Sequence, residues 1–306
     1  MSAGYDYGNA RVYGMRGRLL DIGRIRRLGG AAGPGEFLAL LGQEPDWRPL
    51  VASPGEAGRD GRAAADDLIE RWRAARQRGL LRLYGPPIRR LVEALVMPLD
   101  AERVVEILRR RRAGAPADAV ERTVAPGALL DERALGRLAW MPTEAGLLRG
   151  LGAGGLIAPD DAAALGTLVE GPVASADAEA RAVATEAGFR AAVERARAAR
   201  AQGRGPDAAS LRAILAGEAV DRDAVAAELA ANGPTPAAVL ERTLALARWT
   251  ALDHGAHRDP LGIGPVAAYV AAVELTVIRL RAVLARVAGA WRDEHVAPYL
   301  AGATGS

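Results

Sequence analysis

Apolar positions along this chain recur at the three-to-four-residue spacing of helices, and no segment of comparable length alternates with a period of two. After Asp6, a candidate N-cap, Val12, Met15 and Leu19 fall on one helical face. The strongest pattern lies near the C-terminus. Pro265 can occupy a first helical turn after Gly264, and Val266, Tyr269, Val270, Val273, Val277, Leu280, Leu284 and Val287 form one stripe. Glu274, Arg279, Arg281 and Arg286 lie off that stripe. From Pro265 to Trp291 such a helix would run about 40 Å at 1.5 Å per residue.

Segments rich in Gly, Pro and small residues divide the pattern: 29–35, 53–61, 152–160, 171–176 and 203–206. They punctuate helices. The expected fold class is therefore all-α.

The blocks between these breaks repeat. Leu19-Leu20-Asp21, followed by Ile25 and Leu28, returns 110 residues later as Leu129-Leu130-Asp131, followed by Leu135 and Leu138. Asp100 with Val104, Ile107 and Leu108 returns 107 residues later as Asp207 with Leu211, Ile214 and Leu215. A fainter third copy is Val220-Asp221 with Val225, and Thr276 with Leu280, Val283 and Leu284. Each Asp is expected to cap the helix that follows it. Three related helical domains are expected at 1–120, 121–217 and 218–306, the last one shorter.

Composition narrows the chemistry. The chain has 306 residues, half of them hydrophobic, enough for a buried core. Ala, Leu and Arg, all strong helix formers, are prominent in it. All 40 basic residues are Arg and none is Lys, yet the net charge is only +3 because 37 acids are interspersed. The absence of Cys excludes disulfides, thiolate metal sites and a thiol nucleophile. Asp6, Arg11, Arg16 and Arg18 make the N-terminus unlike a signal peptide. The uncharged run Leu261–Val273 is too short to cross a bilayer. A cytoplasmic protein that meets a membrane only through a partner is expected.

No catalytic constellation assembles. His254 and His257 have a spacing open to metal, but Gly255 and the flanking residues suggest a solvated loop, and His295 sits in a polar terminal segment. The Gly-rich stretches at 152–155 and 261–265 lack the Lys of a phosphate-binding loop and the preceding strand of a dinucleotide site. No cofactor, metal or catalytic residue is assigned. Asn9, on the apolar side of the first helix, is read as a satisfied core hydrogen-bonder.

The run Arg109, Arg110, Arg111 and Arg112 is the sharpest charge cluster. It could contact nucleic-acid phosphates or an acidic partner, or simply end a helix beginning at Asp100, where cations suit the negative dipole end. With no aromatic platform beside it and no DNA-binding motif, nucleic acid is not the expected partner. These four arginines are the candidate partner-binding residues.

Four stretches together resemble a known family: the C-subunit family of archaeal and bacterial V/A-type ATPases, whose member in the eukaryotic vacuolar enzyme is named d. They are Tyr5-Asp6-Tyr7-Gly8-Asn9-Ala10-Arg11-Val12 running on to Arg18-Leu19-Leu20, Leu99-Asp100 through Arg109, Asp207 through Arg212, and Pro260 through Tyr269 with Glu274 and Leu280-Arg281. The family's usual Asn is Arg103, Ser210 and Arg279 here, and its third acidic residue is Thr276. The resemblance implies a non-catalytic central-stalk subunit, a funnel of three pseudo-symmetric helical domains. Its wide face would dock on the membrane proteolipid ring and its socket would receive the D and F subunits of the shaft, coupling ATP turnover to proton or sodium transport. An Arg-rich nucleic-acid-binding or scaffold protein is the alternative.

Overall fold

The computed structural model describes residues 5–51, 61–143, 147 and 262–300. Regular structure among them is entirely α-helical, as the periodicity predicts. The helices are α1 (Asp6–Arg16), α2 (Ile22–Leu28), α3 (Pro34–Leu41), α4 (Arg48–Val51), α5 (Gly61–Leu80), α6 (Pro86–Arg112), α7 (Ala117–Thr123), α8 (Glu132–Ala139), α9 (Gly264–Val287) and α10 (Asp293–Leu300). None is long and apolar enough to cross a membrane among the described residues.

The repeated Leu-Leu-Asp pattern has a repeated structure. Asp21 caps α2 with its carboxylate on the Arg24 amide at 2.7 Å, and Asp131 caps α8 through the Ala134 amide at 2.8 Å. Their backbones match, with φ/ψ of −72°/166° and −74°/174°. Ile25 and Leu28 are buried, and so are Leu135 and Leu138. The capping carboxylate sets the helix start, and the aliphatic pair sets the buried face.

Three local expectations are corrected. Asp6 is the first residue of α1 rather than its cap; the cap position is Tyr5, in helical backbone conformation with no side-chain bond to the helix. Asp100 does not begin a helix: it lies well inside α6, which starts at Pro86. The C-terminal helix stops at Val287, short of Trp291. There Gly289 takes a φ of 72°, its amide donates to Arg286 O at 2.8 Å, and the Ala290 amide donates to Ala285 O at 2.8 Å. The end of α6 is built the same way. Gly114 has a φ of 82°, and the Gly114 and Ala115 amides bond to Arg111 O and Arg110 O, each at 3.0 Å. A left-handed residue there favours glycine, because a Cβ would meet the following carbonyl.

One continuous apolar core joins Val12 of α1, Ile25 of α2, Phe37 of α3, Trp72 of α5 and Leu95 and Leu99 of α6 to α9. The helix α9, assigned from sequence to a unit spanning 218–306, is thus central to the core of the N-terminal helices. A one-sided stripe was expected, yet Ala267, Ala271, Ala282 and Ala285 are buried along with Val273, Val277 and Leu280. With α1, α2, α3, α5, α6 and α10 all packed on it, nearly its whole circumference is covered. Small alanines let those neighbours approach closely. Residues 120 and 121, where the first unit was expected to give way to the second, both lie within α7.

Candidate functional site

Where α5, α6 and α9 meet, the core is polar. Asp66, Glu70, Arg73 and Gln77 recur along α5 at spacings of four, three and four, so they share one helical face. Glu70, Arg73, Gln77, Arg103 of α6 and Glu274 of α9 are all buried.

Arg73 is the hub. Its Nε donates to Glu274 Oε1 at 2.7 Å while Nη2 lies 2.6 Å from Glu274 Oε2. Its Nη1 and Nη2 also reach the two oxygens of Glu102, at 2.6 and 3.2 Å. Glu70 pairs with Arg103 and, through Oε1 at 2.7 Å, with Arg281. Arg281 continues to Asp66 at 2.8 Å. Gln77 donates to Glu274 Oε1.

Burial opposes the charge on Arg73, but Glu102 and Glu274 outweigh it and raise its pKa. Burial lowers Arg103 to about 10 against the pull of Glu106, which leaves it charged at neutral pH. Burial also raises the Glu274 carboxyl, with Arg73 opposing the shift. These carboxylates are engaged by guanidinium groups, an arrangement suited to fixing three helices relative to one another. Buried pairs of this kind add little net stability over an apolar core, but losing one partner is costly.

Sequence reasoning missed this cluster because it placed Glu274 and Arg281 off the apolar stripe. The four-three-four polar spacing on α5 was the available signal.

Asn9 is placed as expected. Its Nδ2 donates to Gly262 O at 3.0 Å and its Oδ1 accepts from Tyr84 Oη at 2.8 Å. Gly262 and Ile263, of the stretch considered for phosphate, lead into α9, and Gly262 supplies this acceptor. Tyr7 and Tyr13 of α1 are exposed.

The candidates Arg109, Arg110, Arg111 and Arg112 occupy the last turns of α6. Arg110 bonds to Glu106 at 2.6 Å and to Thr123 Oγ1 at 2.8 Å, and Arg111 reaches Met141 O. These two therefore tie α6 to α7 and to the residues after α8. His254, His257 and the 152–155 glycines lie outside the described residues. His295 accepts from the Arg292 amide at 3.2 Å through Nδ1 and stands edge-on to Trp291.

Asp100 forms a second polar joint. Its side chain is buried, and its Oδ1 accepts from the Leu129 and Leu130 amides at 3.1 and 2.7 Å, with Oδ2 3.0 Å from Leu129 N. The two repeated patterns thus bind each other: the acid of one receives the Leu-Leu amides of the other. In the matching position of α9, Thr276 turns its hydroxyl to Ala272 O at 2.8 Å.

No protein-family model matches the chain, and comparison with curated proteins finds no match.

Proposed function

We propose that this chain is a non-catalytic central-stalk subunit of a rotary V/A-type ATPase, of the C-subunit kind that its sequence resembles. In this reading three pseudo-symmetric helical domains form a funnel that receives the D and F subunits of the shaft and rests on the membrane proteolipid ring. It passes rotation between them, so that ATP turnover is coupled to proton or sodium movement.

The observation that carries the reading is the lock of α9 into the N-terminal core through Arg73, Glu274 and Glu102. A part that carries torque needs helices fixed relative to one another, and a buried charge network tolerates little sliding because an uncompensated charge is costly. The matching Asp caps of α2 and α8, each followed by a buried aliphatic pair, support the repeat. Membrane contact is indirect in this reading, through the ring.

The test is affinity purification of the tagged chain from its native membranes. Recovery of shaft and proteolipid subunits in fixed proportion supports the reading, and a photo-crosslinker at Tyr7 or Tyr13 would identify what faces α1. Recovery of nucleic acid with a steep salt dependence, and of no ATPase subunit, would overturn it.

A further inference from the structure

We propose that Asp100 and the Gly127–Leu130 turn form a pH-tuned latch between α6 and α8, one that closes more firmly as the solution turns acidic. The turn is closed by the Gly127 amide on Leu130 O at 2.9 Å and wraps the carboxylate. A Cβ on Gly127 would lie 2.9 Å from Asp100 Cγ and closer still to Oδ1, so the approach requires glycine. Leu130 is followed at once by Asp131, the cap of α8. Whatever holds the turn therefore sets where α8 begins.

The latch depends on charge. Asp100 makes no ion pair among the described residues, and backbone amides are its direct partners. Arg78 of α5 is the charged group acting on it, but that guanidinium donates to Gly127 O at 2.7 Å, a second hold on the same turn. Other nearby charges are engaged elsewhere: Glu102 and Arg103 of α6 in the α5–α9 cluster, Glu121 of α7 on Trp140 Nε1, and Asp131 on the α8 amide. Glu132, Arg133 and Arg137 of α8 are exposed.

Two effects compete at this carboxyl. The amides and Arg78 favour its charged form, while burial favours the neutral one. Burial wins and raises Asp100 to about 6, so the balance changes just below neutral pH. Above that point the charge regains water when the turn lifts away, which makes opening easier. Below it the group is neutral, gains little from water, and still offers an oxygen to the amides. Thr276, in the matching position of α9, has no proton to exchange in this range.

The experiment uses the full chain labelled with ¹⁵N-leucine, followed by NMR from pH 8 to 4.5. The Leu129 and Leu130 amide resonances should move together with a midpoint near 6. Their exchange protection, corrected for intrinsic rates, should rise about tenfold or more on acidification from pH 7.5 to 4.5. Arg78→Gln should move the midpoint to higher pH, a shift that a merely structural contact would not produce. Asp100→Asn should abolish the titration and leave protection independent of pH; if that variant does not fold, the wild type and Arg78→Gln decide. A midpoint below 4.5, or protection that stays flat or falls on acidification, overturns the proposal.

Discussion

The ring of Tyr84 occupies the space a side chain on Gly8 would need: a Cβ there would lie 2.6 Å from Tyr84 Cζ. The phenol oxygen then reaches Asn9, so one tyrosine both covers the glycine and satisfies the neighbouring amide. Gly8→Ala should destabilise the fold by about 1–3 kcal/mol through overpacking. Gly8→Ala combined with Tyr84→Leu should lose less than the two single changes added together. Denaturant unfolding of the three variants measures this, and simple additivity would show that the two residues do not compete for one space.

Glu274→Ala leaves Arg73 and Gln77 without their shared acceptor in the core. A loss of about 1–3 kcal/mol is expected, since Gln77 loses its acceptor in the core and Arg73 keeps its bonds to Glu102 alone of its two strongest partners. Arg73→Met with Glu274→Leu should recover much of it. Thermal unfolding distinguishes these outcomes; a harmless Glu274→Ala would mean the cluster is hydrated and loosely held.

Val277 is 2% exposed on α9. Val277→Asp should cost about 3 kcal/mol or more, because an unpaired carboxylate enters an apolar site. Under the proposed stalk role, the same change in a reconstituted ATPase should reduce ATP-driven ion uptake more than ATP hydrolysis. Equal loss of both would count against a coupling role.

The pH dependence of global stability has a definite sign at Asp100. Its folded pKa, about 6, stands above the ordinary value of 3.8. The folded state therefore binds the proton more tightly, and this stabilising contribution is present at low pH and lost as pH rises through about 6. The stability difference between wild type and Asp100→Asn should move in favour of wild type on acidification from pH 7 to 4. Denaturant unfolding across that range checks it, and a pH-independent difference would contradict the burial argument.

The local features were the legible ones. Asp21 and Asp131 cap their helices because an N-cap needs only the next three residues, and Gly264-Pro265 marks a helix start for the same reason. Asn9 was read correctly as a buried hydrogen-bonder. Asp100 was misread because its partners lie 29 and 30 residues ahead, and an acid before an aliphatic trio looks the same whether it caps or is captured. The charge cluster was hidden for a similar reason. Arg73 and Glu274 are 201 residues apart, and each alone reads as a solvated side chain.

That separation has a consequence for synthesis. A ribosome releases Arg73 long before Glu274 exists, and at about 5–20 residues per second the interval is on the order of 10–40 s. Through that time α1 to α6 lack the helix that fills their centre. Until α9 emerges the nascent chain cannot close this core, so the apolar residues of α1 to α6 that α9 covers stay without that partner throughout the interval.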